Sequence, residues 1–96
     1  MRKLYLVTYD ITDAKRLRRV FKKLRGFGDH LQYSVFLCEL GDRERVKLAM
    51  ALDKEIHKRD DQVLIVDLGP AAGRGPECIE SLGRAFVHEE RTAVVV

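Results

Sequence analysis

Residues 3–11 alternate along a β-rich stretch. Leu4, Leu6 and Thr8 fall on one side, Tyr5, Val7 and Tyr9 on the other, so both faces of the predicted strand are apolar. Such a strand must be covered on both faces. Helices can cover one of them in a chain of 96 residues, and the other needs something else. The period then changes. Leu17, Val20, Phe21 and Leu24 follow the i, i+3, i+4, i+7 spacing of an amphipathic helix that starts at Thr12 or Asp13, either a good cap, and stops at Gly26.

Gly26-Phe27-Gly28-Asp29 reads as a turn, and the chain is extended again from His30 to Leu40. The polar Gln32-Tyr33-Ser34 centre of that stretch predicts a sharp bend or hairpin rather than one straight strand. A second helix is expected from Gly41 or Asp42 to Lys58, burying Leu48, Ala49, Leu52 and Ile56. A further strand, Gln62 to Leu68, is again apolar on both faces, and residues 70–76, with Gly73 and Gly75, read as a flexible loop. The apolar, β-branched residues 92–96 are expected to add as an edge strand to a sheet, that of a partner subunit.

This order predicts an α+β fold, a ferredoxin-like βαββαβ sandwich with an extra C-terminal edge strand. Residues 1–96 form a single domain in this reading, with about 69–96 as a C-terminal extension. Two helices pack on one sheet face, and the bare apolar face closes against an identical copy, giving a homodimer packed sheet to sheet.

Composition narrows the class. Apolar content of 46% with 34% charged residues fits an ordinary soluble globular protein. No apolar run approaches the roughly 18 residues of a spanning helix, so no membrane partner is expected. The start, Met1-Arg2-Lys3-Leu4, lacks a long apolar signal core, which predicts a cytoplasmic protein. Cys38 and Cys78 have no CxxC partner and read as a buried thiol and an incidental loop thiol. His30, His57 and His88 show no metal-ligand spacing and no nucleophile signature.

Charge adds a location. The chain has 18 Lys/Arg and 15 Asp/Glu, a balance of +3, yet seven of the cations lie between Lys15 and Arg25. Without those seven the balance is −4, so the whole positive excess comes from the first helix. Lys15, Arg19 and Lys22 lie opposite its apolar stripe, with Arg16 and Arg18 on the flanks. The second helix mixes Asp42, Glu44, Asp53 and Glu55 with its cations and reads as a solvated face with local ion pairs. Uncompensated cations instead fit phosphate contact through backbone charge.

Directly before that basic helix stands Asp10, a lone carboxylate ending an apolar strand. A carboxylate there, beside a basic surface, suits Mg2+ acting on a phosphodiester, since Mg2+ keeps several waters and needs one or two carboxylates. The alternative for Asp10 is a cap or turn residue. Asp13 is a cap. Ser34 offers a hydroxyl near a metal or scissile phosphate, or a hydrogen bond at a strand bend. Tyr9 is expected at the interface and Phe36 in the core.

Together, Tyr9-Asp10-Ile11-Thr12-Asp13, the Lys/Arg-rich helix, Gly28 and Gln32-Tyr33-Ser34-Val35-Phe36 resemble the small CRISPR-associated adaptation nucleases, the second of the two near-universal spacer-acquisition proteins. The resemblance covers residues 3–68. It implies a homodimer in which two copies of Asp10 face each other across the two-fold axis and hold one Mg2+. It also implies metal-dependent cleavage of RNA or DNA, and a scaffold role beside a CRISPR-associated integrase partner. An endonuclease and a non-catalytic duplex-DNA-binding scaffold both remain open, as does a ferredoxin-like RNA-binding or ribosome-associated module. Residues 70–83 match no pattern of that family.

Overall fold

The two apolar faces of the first strand are met in different ways. The computed structural model describes residues 1–84. Within it run β1 (Lys3–Asp10), α1 (Ala14–Arg25), β2 (Asp29–Gln32), β3 (Val35–Leu40), α2 (Asp42–Glu55) and β4 (Gln62–Pro70), followed by a short 3-10 helix, Gly75–Cys78. The strands form one antiparallel sheet in the order β2-β3-β1-β4. This is the ferredoxin-like arrangement expected from the element order.

The odd-numbered side chains of β1 face the helices. Tyr5 stands opposite Cys38, Val7 lies between Phe36 and Ile65, and Tyr9 pairs with Val63. Val20 and Leu24 of α1 and Leu48 and Leu52 of α2 complete this core. Phe21 packs edge-on against Phe36 and His30, at centroid distances of 5.4 and 5.0 Å. Tyr9 therefore belongs to the helix-side core, not to an interface. Its odd position in β1 turns it toward α1 and α2, and burial raises its hydroxyl pKa above the ordinary value.

The even-numbered side chains occupy the other face. At one end the 3-10 helix covers it: a Cβ on Gly75 would stand 3.1 Å from the Leu4 side chain and 2.8 Å from the Pro70 carbonyl. Over Leu64 and Val66 no helix among the described residues lies, and these two side chains remain 50% and 43% exposed.

Local signals explain most boundaries. Asp13 caps α1, its carboxylate accepting from the Arg16 amide at 2.9 Å. At α2 the Gly41 amide donates to the Glu44 carboxylate at 2.9 Å, and Arg2 also reaches that carboxylate, so Glu44 is held below its ordinary pKa, chiefly by the Gly41 amide. The Gln32-Tyr33-Ser34 bend is a two-residue turn between β2 and β3, with a register shift between His30 and Gln32. Gly28 is required by close approach: a Cβ there would lie 2.5 Å from Cys38 Sγ and from the Leu37 carbonyl.

Two further expectations change, and one is not reached. α2 stops at Glu55 rather than Lys58, because the Asp61 carboxylate takes the His57 amide at 2.8 Å and turns the chain. Residues 70–76 form a turn that runs into the 3-10 helix rather than an irregular loop; the Ala71 amide donates to the Arg2 carbonyl at 3.0 Å, and Gly75 is buried while most of its neighbours stay exposed. The edge strand expected at 92–96 lies outside the described residues.

Candidate metal centre and nucleic-acid face

Asp10 is the last residue of β1 and is exposed. Its even position places it on the face away from the helices, the side that carries Leu64 and Val66. Two neighbours fix this strand end. Asp10 pairs with Gln62 in the β1–β4 ladder, and the Tyr9 amide donates to the Ser34 carbonyl at 3.1 Å. The Tyr9 hydroxyl also donates to the Tyr33 carbonyl at 3.4 Å, and His30 Nε2 lies 3.2 Å from that same oxygen. Ser34, half-buried, is thus brought beside the strand end that carries Asp10.

The five cations named as a nucleic-acid surface separate into two groups. Lys15, Arg18, Arg19 and Lys22 are exposed on α1 and make no ion pair among the described residues. Arg16 is held elsewhere. Its Nε donates to Asp61 Oδ2 at 2.7 Å and its Nη2 to Asp61 Oδ1 at 3.3 Å and to Thr12 Oγ1 at 3.1 Å. The helix has no acid in its first turn, so Lys15 and Arg16 meet the positive end of its dipole. Asp13 and Asp61 offset that unfavourable start.

Asp61 went unnoticed in the sequence. Its side chain is fully buried. Besides Arg16 it accepts from the Thr12 amide at 3.0 Å, the Thr12 hydroxyl at 3.1 Å and the His57 amide at 2.8 Å. Arg16 first, then these donors, hold its carboxyl far below the usual carboxylate range against the opposing effect of burial. Because the folded state favours the charged form, the stability Asp61 contributes is complete above the ordinary carboxylate range. It is lost only as pH falls through the lowered value. Sequence offers a single hint, two adjacent acids in a polar turn before a strand.

A Mg2+ ion can be tested against this geometry. Asp10 supplies a hard, exposed oxygen donor with room for water, as the ion prefers. Among the described residues, however, no three His, Cys, Asp or Glu side chains gather into a metal-binding group. One subunit therefore offers a single carboxylate. The residues fit Mg2+ when a second copy doubles Asp10, and fit it poorly otherwise. No helix among the described residues is long and apolar enough to cross a membrane.

The comparisons with known proteins decide the family. The model of the family described as CRISPR associated protein Cas2 matches residues 2–72. The chain belongs to the Cas2 family. It is 45% identical over 92 residues to the CRISPR-associated endoribonuclease Cas2 1 of Rhodospirillum rubrum, covering 96% of this chain and 89% of that protein. It is 43% identical over 96 residues, the full length of both chains, to the CRISPR-associated endoribonuclease Cas2 of Geobacter sulfurreducens. The crystal structure of Streptococcus pyogenes Cas2 superposes with a TM-score of 0.73 at 32% identity, over 83% of this chain and 99% of that one. A hypothetical protein from Thermus thermophilus gives a TM-score of 0.78 at 27% identity, over 93% and 100%. The Geobacter match also runs through residues 70–83, where the sequence alone showed no family pattern.

Proposed function

We propose that the protein is a CRISPR-associated, magnesium-dependent endonuclease that hydrolyses phosphodiester bonds and takes part in spacer acquisition for antiviral defence. One observation carries this reading: Asp10 stands exposed at the end of β1, on the sheet face that neither α1 nor α2 covers. Closing that face against a second copy buries Leu64 and Val66 and brings two Asp10 carboxylates to one axis. Magnesium, when bound there, polarises a phosphoryl oxygen and acidifies water. Asp10 holds the cation, and Ser34 presents its hydroxyl toward the scissile phosphate. Arg18 or Arg19 neutralises phosphate charge, while Lys15, Arg19 and Lys22 follow the nucleic-acid backbone without reading bases. The relatives' name, endoribonuclease, makes single-stranded RNA the first substrate to try and duplex DNA the second.

In the Asp10→Ala variant, magnesium-dependent cleavage falls by about 100-fold or more, the scale of a lost transition-state contact. The dimer persists on size-exclusion chromatography with light scattering. Equal cleavage by variant and parent sinks the nuclease reading.

A second reading has its own support. The ligand set is sparse, while four exposed α1 cations make no ion pair among the described residues. A non-catalytic subunit that binds duplex DNA and docks a CRISPR-associated integrase fits both facts. Under it, Asp10→Ala retains DNA binding and integrase association in pull-down with both purified components.

A further inference from the structure

We propose that Asp61 is a positioning residue for Asp10: without touching substrate or metal, it fixes where the Asp10 carboxylate stands. The inference rests on the metal-site reading above and extends it to a residue 51 positions away in the chain.

Asp10 sits where β1 ends, so its orientation depends on how the chain leaves the sheet and on the strand beside it. Asp61 governs both. On the exit side, its Oδ1 accepts the Thr12 amide and the Thr12 hydroxyl, only two residues past Asp10. Its Oδ2 takes Arg16 Nε, fixing the first turn of α1 against the same carboxylate. On the other side, Asp61 directly precedes Gln62, the residue paired with Asp10 in the β1–β4 ladder. The His57 amide and the backbone bond from the Asp61 amide to the His57 carbonyl, at 2.9 Å, hold the α2–β4 turn in register. One buried carboxylate thus ties together the two segments that flank Asp10. Ion-pairing alone would need only Arg16; three of the five donors instead lie on Thr12 and His57, on the connections at this end of the sheet. Groups bonded directly to a metal ligand commonly change metal affinity by about 10- to 100-fold when removed, and Asp61, which acts on Asp10 through the backbone on either side, belongs at the low end of that range.

The test is Mg2+ binding to the nucleic-acid-free full chain by isothermal titration calorimetry, at a temperature where circular dichroism shows each variant folded. Asp61→Asn retains an oxygen for one of the two amides, sets its NH2 against the other and loses the charge that holds Arg16. Mg2+ affinity is expected to fall by about 10-fold, with a matching rise in the Mg2+ concentration for half-maximal cleavage. Thr12→Val keeps the side-chain shape and the amide but removes two bonds, the hydroxyl's to Asp61 and the one it accepts from Arg16, for an expected 2- to 3-fold loss. It decides the matter should Asp61→Asn fail to fold. A lowered melting temperature with parental Mg2+ affinity in the folded variants makes Asp61 merely structural and overturns the proposal. Asp10→Ala in the same series separates the two levels. If it abolishes Mg2+ binding while Asp61→Asn and Thr12→Val bind as the parent does, only the role of Asp61 falls. If Asp10→Ala binds Mg2+ normally, the metal-site reading fails and takes the role of Asp61 with it.

Discussion

The two faces of the sheet answer the same sequence problem differently. On the helix side, Val7, Phe36 and Cys38 are sealed under α1 and α2, and aromatic rings fill the space between. On the other side, Leu64 and Val66, equally apolar and on the same strand as Val63 and Ile65, stay about half exposed. Apolar character alone therefore does not mark the core of the single chain. The first face makes the fold, while the second carries Asp10 and, in the proposed dimer, completes the site.

Attacking the covered face gives the largest effect. Phe36 is fully buried and contacts Tyr9, Phe21 and His30. Phe36→Ala leaves a cavity in contact with both α1 and the Asp10-bearing strand, costing about 3–5 kcal/mol in chemical denaturation. That is a large share of the stability of so small a domain. A loss under 1 kcal/mol shows that the ring lies outside the cooperative core.

Attacking the uncovered face separates folding from assembly. Leu64→Asp with Val66→Asp changes side chains already half in water, so the thermal midpoint measured below the dimer dissociation constant shifts by the equivalent of about 1 kcal/mol or less. Association weakens by 100-fold or more, because four carboxylates then meet across the proposed two-fold, read by sedimentation velocity over a concentration series. Magnesium-dependent cleavage disappears with the dimer. A variant that stays dimeric at parental affinity puts the interface on another surface.

This contrast also explains what sequence reading reached. Alternation in residues 3–11 and the 3.6-residue period of Leu17, Val20, Phe21 and Leu24 are local signals, and they located β1, α1 and the ferredoxin-like order. The Gln32-Tyr33-Ser34 turn was equally legible, because polar residues interrupt an apolar run. Alternation does not say which parity the helices cover, which is why the expectation of Tyr9 at an interface fails. Asp61 was missed for a related reason. Its burial depends on Arg16, 45 residues earlier, and on Thr12, contacts that no local period encodes. Gly75 behaves likewise: its composition reads as loop, while its fit against Leu4 is set by the sheet. Sequence marks Asp10 by its place at the end of an apolar strand before a basic helix and Ser34 by its hydroxyl at a bend, but only the Tyr9–Ser34 backbone bond shows why they share one end of the sheet.

The back of α1 sharpens the comparison with the smallest effect on folding. It belongs to the covered side, yet Lys15, Arg19 and Lys22 point to solvent and contribute nothing to the core. Reversing all three to Glu should leave stability nearly unchanged. Lys15→Glu even improves the helix start, since a negative charge near that end suits the dipole by about 0.3–1 kcal/mol. Nucleic-acid binding responds in the opposite sense. If three phosphates per subunit are neutralised by these residues, the slope of log affinity against log salt loses roughly 2.7 per subunit on duplex DNA and roughly 2.1 on single strands. Fluorescence anisotropy across a salt series on both substrates reads this difference directly. An unchanged slope moves the nucleic acid off α1. A slope loss without loss of Mg2+ affinity shows that the basic helix and the Asp10 end work as separate parts, one for holding the backbone and one for the metal.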